Sequence, residues 1–348
     1  MTMKKIKATI IGASGYTGVE LIRLLLNHPN VEITQLIADS SAGQPMSDIY
    51  QHLRPFNLPA LIKIDAAKWD GIDVAFCCLP HATTQEIVKK LPEHLKIIDL
   101  SADFRLYDVE EYKKWYGHEH LAPELQKEAV YGLVEVYREY VKNARIIACP
   151  GCYPTSATLP LYPLLKDELI EIDDIIIDSK SGVTGAGRSA KQANLYTEVN
   201  EGIKPYGVCN HRHIPEIEQT LSCAAGESVK VNFTPQLTPM NRGILSTIYV
   251  KLKQGVNVDD LRKSLQRAYD KENFVHVLKD GQLPSTHDVY STNNCIISVS
   301  AGRTDNRAVI SSVIDNLTKG ASGQAVQNMN IIFGFDEKAG LEYTPVFP

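Results

Sequence analysis

Two stretches of this chain carry side chains suited to covalent and proton-transfer chemistry. The first is Ala148-Cys149-Pro150-Gly151-Cys152-Tyr153-Pro154-Thr155. The apolar run Arg145-Ile146-Ile147-Ala148 leads into it and reads as a strand; Thr155-Ser156-Ala157-Thr158-Leu159 leads out and reads as the start of a helix. Pro154 suits the first helical turn, where a missing N–H costs nothing. Cys152 is therefore expected at a strand-to-helix turn, where the positive helix end favours thiolate, the nucleophilic form. Cys149 closes the strand and should be buried, so Cys152 is the better candidate to attack a carbonyl carbon. The second stretch is Tyr206-Gly207-Val208-Cys209-Asn210-His211-Arg212-His213-Ile214-Pro215-Glu216-Ile217. Histidines two apart do not share a helix face, so one can point into a cleft while the other braces it. A histidine near a thiol can take its proton and return it. A carboxylate such as Glu216 can fix the imidazole tautomer.

These residues admit other readings. Cys149 and Cys152 have dithiol spacing, but a thioredoxin-like βαβ unit would have to begin near them, and a nucleotide-type pattern precedes them instead. A structural zinc site from Cys149, Cys152, Cys209, His211 and His213 would need two tight ligand pairs about 12–20 residues apart. The gap here is much longer, and no metal is expected.

The elements that must position this chemistry follow from periodicity. Residues 5–11 form a short apolar run ending in glycine, as in a buried parallel strand. Gly12-Ala13-Ser14-Gly15-Tyr16-Thr17-Gly18 comes next, then a helical pattern to Leu26. Strand, glycine turn and helix form the context in which backbone N–H groups approach a diphosphate. Residues 31–38 read as the second strand, followed by Asp39-Ser40-Ser41. An acidic residue there selects a ribose 2′-hydroxyl, whereas the two serines suit a 2′-phosphate, so the local signal for NAD against NADP is mixed. Residues 73–79 and 96–100 read as further strands; Pro80-His81 and Ser101-Ala102-Asp103-Phe104-Arg105 follow them at the carboxyl edge. Arg105 can clamp a phosphate bidentately or pair with Asp103 or Asp108. Residues 174–181 form another strand, and Gly182-Val183-Thr184-Gly185-Ala186-Gly187-Arg188 is a second loop able to bring backbone donors to an anion or a nicotinamide ring. Residues 229–236, 243–252, 293–301 and 307–314 read as a mainly antiparallel sheet, with helices at 259–270 and 315–329. The prolines at 160 and 163 predict a short or kinked helix after Cys152.

The fold class expected is α/β: a Rossmann-type doubly wound parallel sheet plus an α+β catalytic and oligomerisation domain. The first domain is read as 1–151 with 315–348, the second as 152–314. The length of 348 residues suits two domains. A net charge of −5 with both signs interspersed argues against nucleic-acid or membrane-surface partners. No apolar run approaches about 18 residues, and the first residues lead into a strand rather than a signal peptide. An odd set of seven cysteines favours free thiols and the cytoplasm. A dinucleotide site, a thiol at a helix start and a histidine donor together imply one chemistry: thioester formation from an activated acyl group and hydride delivery to it, giving an aldehyde.

GASGYTG at 12–18, LSADFRL at 100–106, PGCYPT at 150–155, SGVTGAGR at 181–188, YGVCNHRHIPEI at 206–217, RGIL at 242–245 and DNLTKGASGQAVQN at 315–328 occur in the order found in one family. In these motifs, spread over nearly the whole chain, it resembles the N-acetyl-gamma-glutamyl-phosphate reductases, relatives of aspartate-semialdehyde dehydrogenase. The resemblance implies NADPH-dependent reduction of N-acetyl-L-glutamyl 5-phosphate to the semialdehyde, with release of phosphate, in arginine biosynthesis. It implies Cys152 as nucleophile, His213 as acid/base with His211 supporting, and no metal. NADP would be held by Gly12, Ser14, Gly15, Tyr16, Thr17, Gly18, Ser40, Ser41, Pro80, Ser181, Gly182, Gly185 and Asn316. Arg105 would hold the acyl phosphate, with Arg188 and Arg212 also on the substrate; Arg188, Arg212 and Arg242 are each candidates for its α-carboxylate. A homo-oligomer, dimer or tetramer, is implied through the antiparallel sheet. Cys149 and Asp39 depart from the family's usual residues, and Asp39 bears on cofactor choice. The competing activities are aspartate-semialdehyde dehydrogenase, a reductase of carrier-linked glutamyl or aminoadipyl phosphate, and a non-catalytic NADP sensor; intact Cys152 and His213 argue against the last.

Overall fold

Residues 5–347 are described here from a computed structural model. They divide into two units, one running to Pro150 and taking back Ala321–Glu342, the other formed by Gly151–Gly320 and the chain from Tyr343 on. Among the described residues each unit is built on one seven-stranded sheet.

The first sheet contains β1 (Ile6–Ile11), β2 (Val31–Ile37), β3 (Leu61–Ile62), β4 (Val74–Cys77), β5 (Lys96–Asp99), β6 (Ala129–Tyr131) and β7 (Ile146–Ala148). Its order is β3-β2-β1-β4-β5-β7-β6, and every pairing is parallel. The chain winds one way from β1 and the other way from β4, so the switch point lies between those strands. Both are apolar runs because both faces of the sheet are covered; β4 is buried along its whole length. Gly12 follows β1 with φ +83, and a Cβ there would lie 2.2 Å from the Cys78 carbonyl oxygen at the end of β4. A Cβ on Gly18 would lie 2.6 Å from the Gly12 and Ala13 carbonyls. These two glycines let the switch-point turn close.

The helix Gly323–Phe333 packs in this unit through buried amides as well as through the apolar Ala325, Val326 and Met329. Gln324 and Asn328 both donate to the Gly132 carbonyl, at 2.9 and 2.8 Å. Asn330 Oδ1 accepts from His28 Nε2 at 2.8 Å, and His28 Nδ1 accepts the Asn30 N–H at 3.2 Å. His28 is thus held neutral, and burial is the main cause that lowers its pKa below 6.5. The unfolded chain takes up this proton first as pH falls, so His28 contributes stability above about pH 6.5 that is lost below it. The melting temperature is expected to drop by several degrees between pH 7 and pH 5, and less in His28→Gln. Parallel pH slopes for the two proteins would refute this assignment.

The second sheet contains β8 (Ile175–Ser181), β9 (Lys204–Pro205), β10 (Val231–Leu237), β11 (Ile244–Lys251), β12 (Val275–Val277), β13 (Cys295–Ala301) and β14 (Arg307–Ile314). Its order is β12-β13-β14-β11-β8-β10-β9, antiparallel except for β12–β13 and β8–β10. The helix Cys152–Lys166 lies on it, seated through small residues: the Ser246 hydroxyl is 2.7 Å from those of Ser156 and Ser179.

This helix corrects the expectation of a short element. It runs for 15 residues through Pro160 and Pro163. Pro163 has no N–H for the Leu159 carbonyl, but the Tyr269 hydroxyl donates to that oxygen instead, at 2.5 Å. Tyr269 ends the helix Val258–Tyr269, which begins with an Asn257–Asp260 capping box. A tertiary donor thus replaces the missing local one.

Candidate active site

Gly151 is the N-cap of the Cys152 helix, and Cys152 is its first residue. The Gly151 N–H donates to Glu216 Oε1 at 2.7 Å. Glu216 is buried on the first turn of the helix Ile214–Ala225, whose N-cap is His213. The carboxylate expected to fix an imidazole therefore has one oxygen on the backbone just before the thiol. Cys152 is half-buried, whereas Cys149 is fully buried and desolvation pushes its pKa well up. Cys149 is thus buried at the end of its strand, as expected from the sequence.

Tyr153, next to Cys152, gathers the histidines. Its ring lies 5.5 Å from that of His211 and 5.8 Å from that of His213, both edge-on. The two imidazoles are 4.8 Å apart, and Phe233 of β10 closes the cluster against Tyr153 and His211. His211 Nδ1 accepts the His213 backbone N–H at 3.1 Å, so His211 carries its proton on Nε2 and braces the loop. The Tyr153 and Tyr206 hydroxyls are 2.8 Å apart. Burial, then the charge of Tyr206 and Cys152, raises the pKa of Tyr153; burial also pushes Tyr206 up to about 12. Both phenols stay neutral hydrogen-bonding groups. Sequence reasoning missed this pair, although Tyr153 and Tyr206 stand inside the two motifs that carry the thiol and the histidines.

The second glycine loop belongs to the same unit. Ser181 is buried at the end of β8 and its hydroxyl donates to the Gly182 carbonyl. A Cβ on Gly182 would collide with the Asn241 carbonyl at 2.7 Å, and one on Gly185 would approach Ser181 Oγ and Asn316 Nδ2. Asn316 is buried; its Nδ2 donates to Thr184 Oγ1 at 2.9 Å and its Oδ1 accepts the Gly243 N–H at 2.7 Å. Ser181, Gly182, Gly185 and Asn316 thus form one group. Arg188 and Arg212 are exposed.

In the first unit, Gly12, Ser14, Gly15, Tyr16, Thr17 and Gly18 make the turn into the helix Tyr16–Leu25. The Gly15 N-cap supplies no side chain to the first-turn N–H groups, and that turn holds no acidic residue. A Cβ on Gly15 would meet only the Gly12 carbonyl, at an ordinary 3.6 Å. Ser40 and Ser41 lie in the 3-10 turn Asp39–Ser41 after β2, and Asp39 Oδ1 accepts the Ile64 N–H at 2.9 Å. Pro80 begins the loop after β4, which is held by Asp103: its carboxylate accepts the Ala82 and Thr84 N–H groups at 2.8 and 2.9 Å. Arg105 is buried, donating from Nε to the Cys149 carbonyl at 2.7 Å and from Nη2 to that of Leu100 at 3.0 Å. It braces the ends of β5 and β7. Burial, then the charge of Asp103, pushes the nearby Asp99 up to about 7. Among the described residues no group of three or more His, Cys, Asp or Glu is placed to hold a metal ion, and no helix is long and apolar enough to cross a membrane.

Residues 7–144 match the NAD binding domain of the semialdehyde dehydrogenases, and residues 152–316 match their dimerisation domain. The chain is 56% identical over 345 residues to a probable chloroplastic N-acetyl-gamma-glutamyl-phosphate reductase of Arabidopsis thaliana, covering 99% of this chain and 86% of that protein. It is 55% identical to the N-acetyl-gamma-glutamyl-phosphate reductase of Afipia carboxidovorans (97% of this chain, 98% of the relative) and 53% identical to that of Rhodospirillum rubrum (99% of each). Among solved structures, aspartate semialdehyde dehydrogenase II of Vibrio cholerae superposes with a TM-score of 0.71 at 16% identity, covering 95% of this chain and 99% of that one. The likeness there is one of fold.

Proposed function

The chain belongs to the N-acetyl-gamma-glutamyl-phosphate reductases of the semialdehyde dehydrogenase family, and on that premise we propose the following assignment of substrate, cofactor and residues. The substrate is N-acetyl-L-glutamyl 5-phosphate and the product its 5-semialdehyde. The observation that carries the reading is Cys152 at the first turn of its helix, with both histidines packed around the adjacent Tyr153.

The Cys152 sulfur attacks the acyl carbon, the C–O bond to phosphate breaks, and a thioester forms. When bound, NADPH would supply the hydride that reduces this thioester. His213 takes the proton of the attacking thiol and returns it to the sulfur as the tetrahedral adduct left by hydride addition collapses to aldehyde and free thiol. His211 holds the loop that presents His213. Arg105 takes the phosphate; Arg188 and Arg212 serve the rest of the substrate. The turn Gly12–Gly18 suits a dinucleotide: its two tight glycines close the turn, and Gly15 leaves first-turn N–H groups open to a diphosphate. Ser40 and Ser41 take the 2′-phosphate, because Asp39 already accepts the Ile64 N–H. Ser181, Gly182, Gly185 and Asn316, grouped in the second unit, are assigned to the nicotinamide end, and Pro80 of the first unit is assigned to NADP. Ile176 and Tyr249, exposed apolar residues of β8 and β11, support a homo-oligomer formed through the second sheet. Free thiols at all seven cysteines support a reducing compartment, the cytoplasm.

Phosphate-dependent oxidation of N-acetylglutamate semialdehyde is expected to exceed that of aspartate semialdehyde by at least about a hundredfold in kcat/KM. NADP should be preferred to NAD in the same assay. A faster rate on aspartate semialdehyde would overturn the substrate assignment.

A further inference from the structure

Asp315, at the end of β14, is completely buried and is the hub of the chain that follows it. Its Oδ2 accepts Arg242 Nε at 2.9 Å and the Ser291 N–H at 2.7 Å. Its Oδ1 accepts Arg242 Nη2 at 3.0 Å and the Leu317 and Thr318 N–H groups at 2.9 and 3.0 Å. The same Nη2 reaches Thr318 Oγ1 at 3.0 Å. Beside this pair, Asn316 Oδ1 accepts the Gly243 N–H, so two adjacent residues on each segment are tied together. A two-pronged guanidinium–carboxylate pair fixes orientation as well as distance.

What this pair orients is a π-helical turn, Thr318–Ser322. The Asp315 carbonyl accepts the Gly320 N–H at 3.0 Å across five residues. Such wide turns are uncommon and concentrate at functional sites. This one brings Gly320 against Cys152: a Cβ on Gly320 would lie 2.7 Å from the Cys152 Cβ and 3.2 Å from its Cα. Gly320 has no left-handed φ, so space is what demands glycine there.

We propose that Arg242 and Asp315 are positioning residues for the Cys152 thiol, acting through the backbone of the π-helical turn and Gly320; this rests on Cys152 being the nucleophile. The guanidinium does not take the substrate carboxylate. It holds the surface behind the thiol, so that the sulfur cannot retreat from the line of attack. Displacing a reacting atom by about an ångström costs about a hundredfold in rate.

The test uses the full-length enzyme with the exposed Cys209 and Cys223 replaced by serine, so that iodoacetamide reports Cys152. Gly320→Ala is expected to lower kcat about a hundredfold and to slow alkylation. Arg242→Lys keeps the charge but loses the fork; it should lower kcat about tenfold with KM within about twofold of the parent. Wild-type kcat and alkylation in both folded variants would overturn the proposal. So would a raised KM at unchanged kcat in Arg242→Lys, the signature of a substrate contact. If Gly320→Ala does not fold, Arg242→Lys decides by the same split. Cys152→Ser in the same background tests the underlying reading separately: turnover retained there removes the nucleophile, whatever the other variants do.

Discussion

Cys152→Ala is expected to lose turnover by at least about 10⁴-fold while binding NADPH as the parent does. The two outcomes separate because the thiol and the glycine turn are different parts of the chain. Cys152 lies in the second unit, and its replacement by alanine removes only the half-buried sulfur, whereas the Gly12–Gly18 turn belongs to the first unit. The fold should therefore persist, and circular dichroism and cofactor titration will show whether it does. The expected loss is large because in the proposed mechanism the thioester turns the acyl phosphate into a hydride acceptor held in place. Cys149 offers no substitute: it is fully buried and its pKa is driven well up by desolvation. Near-normal activity in Cys152→Ala would end the covalent mechanism.

The next largest effect is expected at His213. His213→Ala should lower kcat about 10²–10⁴-fold and remove a limb of the pH–rate profile between about pH 6 and 8, the ordinary window of imidazole. His211→Ala should cost less. The His211 Nδ1 accepts the His213 backbone N–H, which makes His211 a brace for the loop. An unchanged profile in His213→Ala would remove His213 from proton transfer. A larger loss in His211→Ala than in His213→Ala would exchange their roles.

The parts of this molecule that were legible in its sequence are those where one physical demand dominates. β4 is apolar throughout and β1 is apolar and buried at its end because both faces are covered there, and Gly12 and Gly18 mark where backbone meets backbone. The thiol at a helix start was equally plain, since the strand ends at Ala148 and the cap is Gly151. The helix 315–329 read from periodicity is instead a buried ion pair, a π turn and a helix ending at Phe333. Its buried residues include Gln324, Gln327 and Asn328, whose partners at Gly132 and Glu135 lie nearly 200 residues earlier, and Asn330, which donates to the Glu337 carbonyl. β6, three residues at a sheet edge, carries no period by which a sequence could reveal it. The helix Ile214–Ala225 was hidden by attention to the histidines before it, although Pro215 and Gly226 mark its two ends. The Pro160–Pro163 expectation failed for a related reason: the donor that rescues Leu159 sits 110 residues further on.

That last contact bears on how the surroundings of the Cys152 thiol come into being during synthesis. The Cys152 helix is completed by Tyr269, its cap is steadied by Glu216, and the turn behind the thiol is set by residues at 315–320. None of these partners exists when Cys152 leaves the ribosome. Contacts of such long separation pay their loop-closure entropy late. A nascent chain of this protein therefore carries Cys152 without its surroundings, and the thiol gains them only when the closing segment of the second sheet has been made.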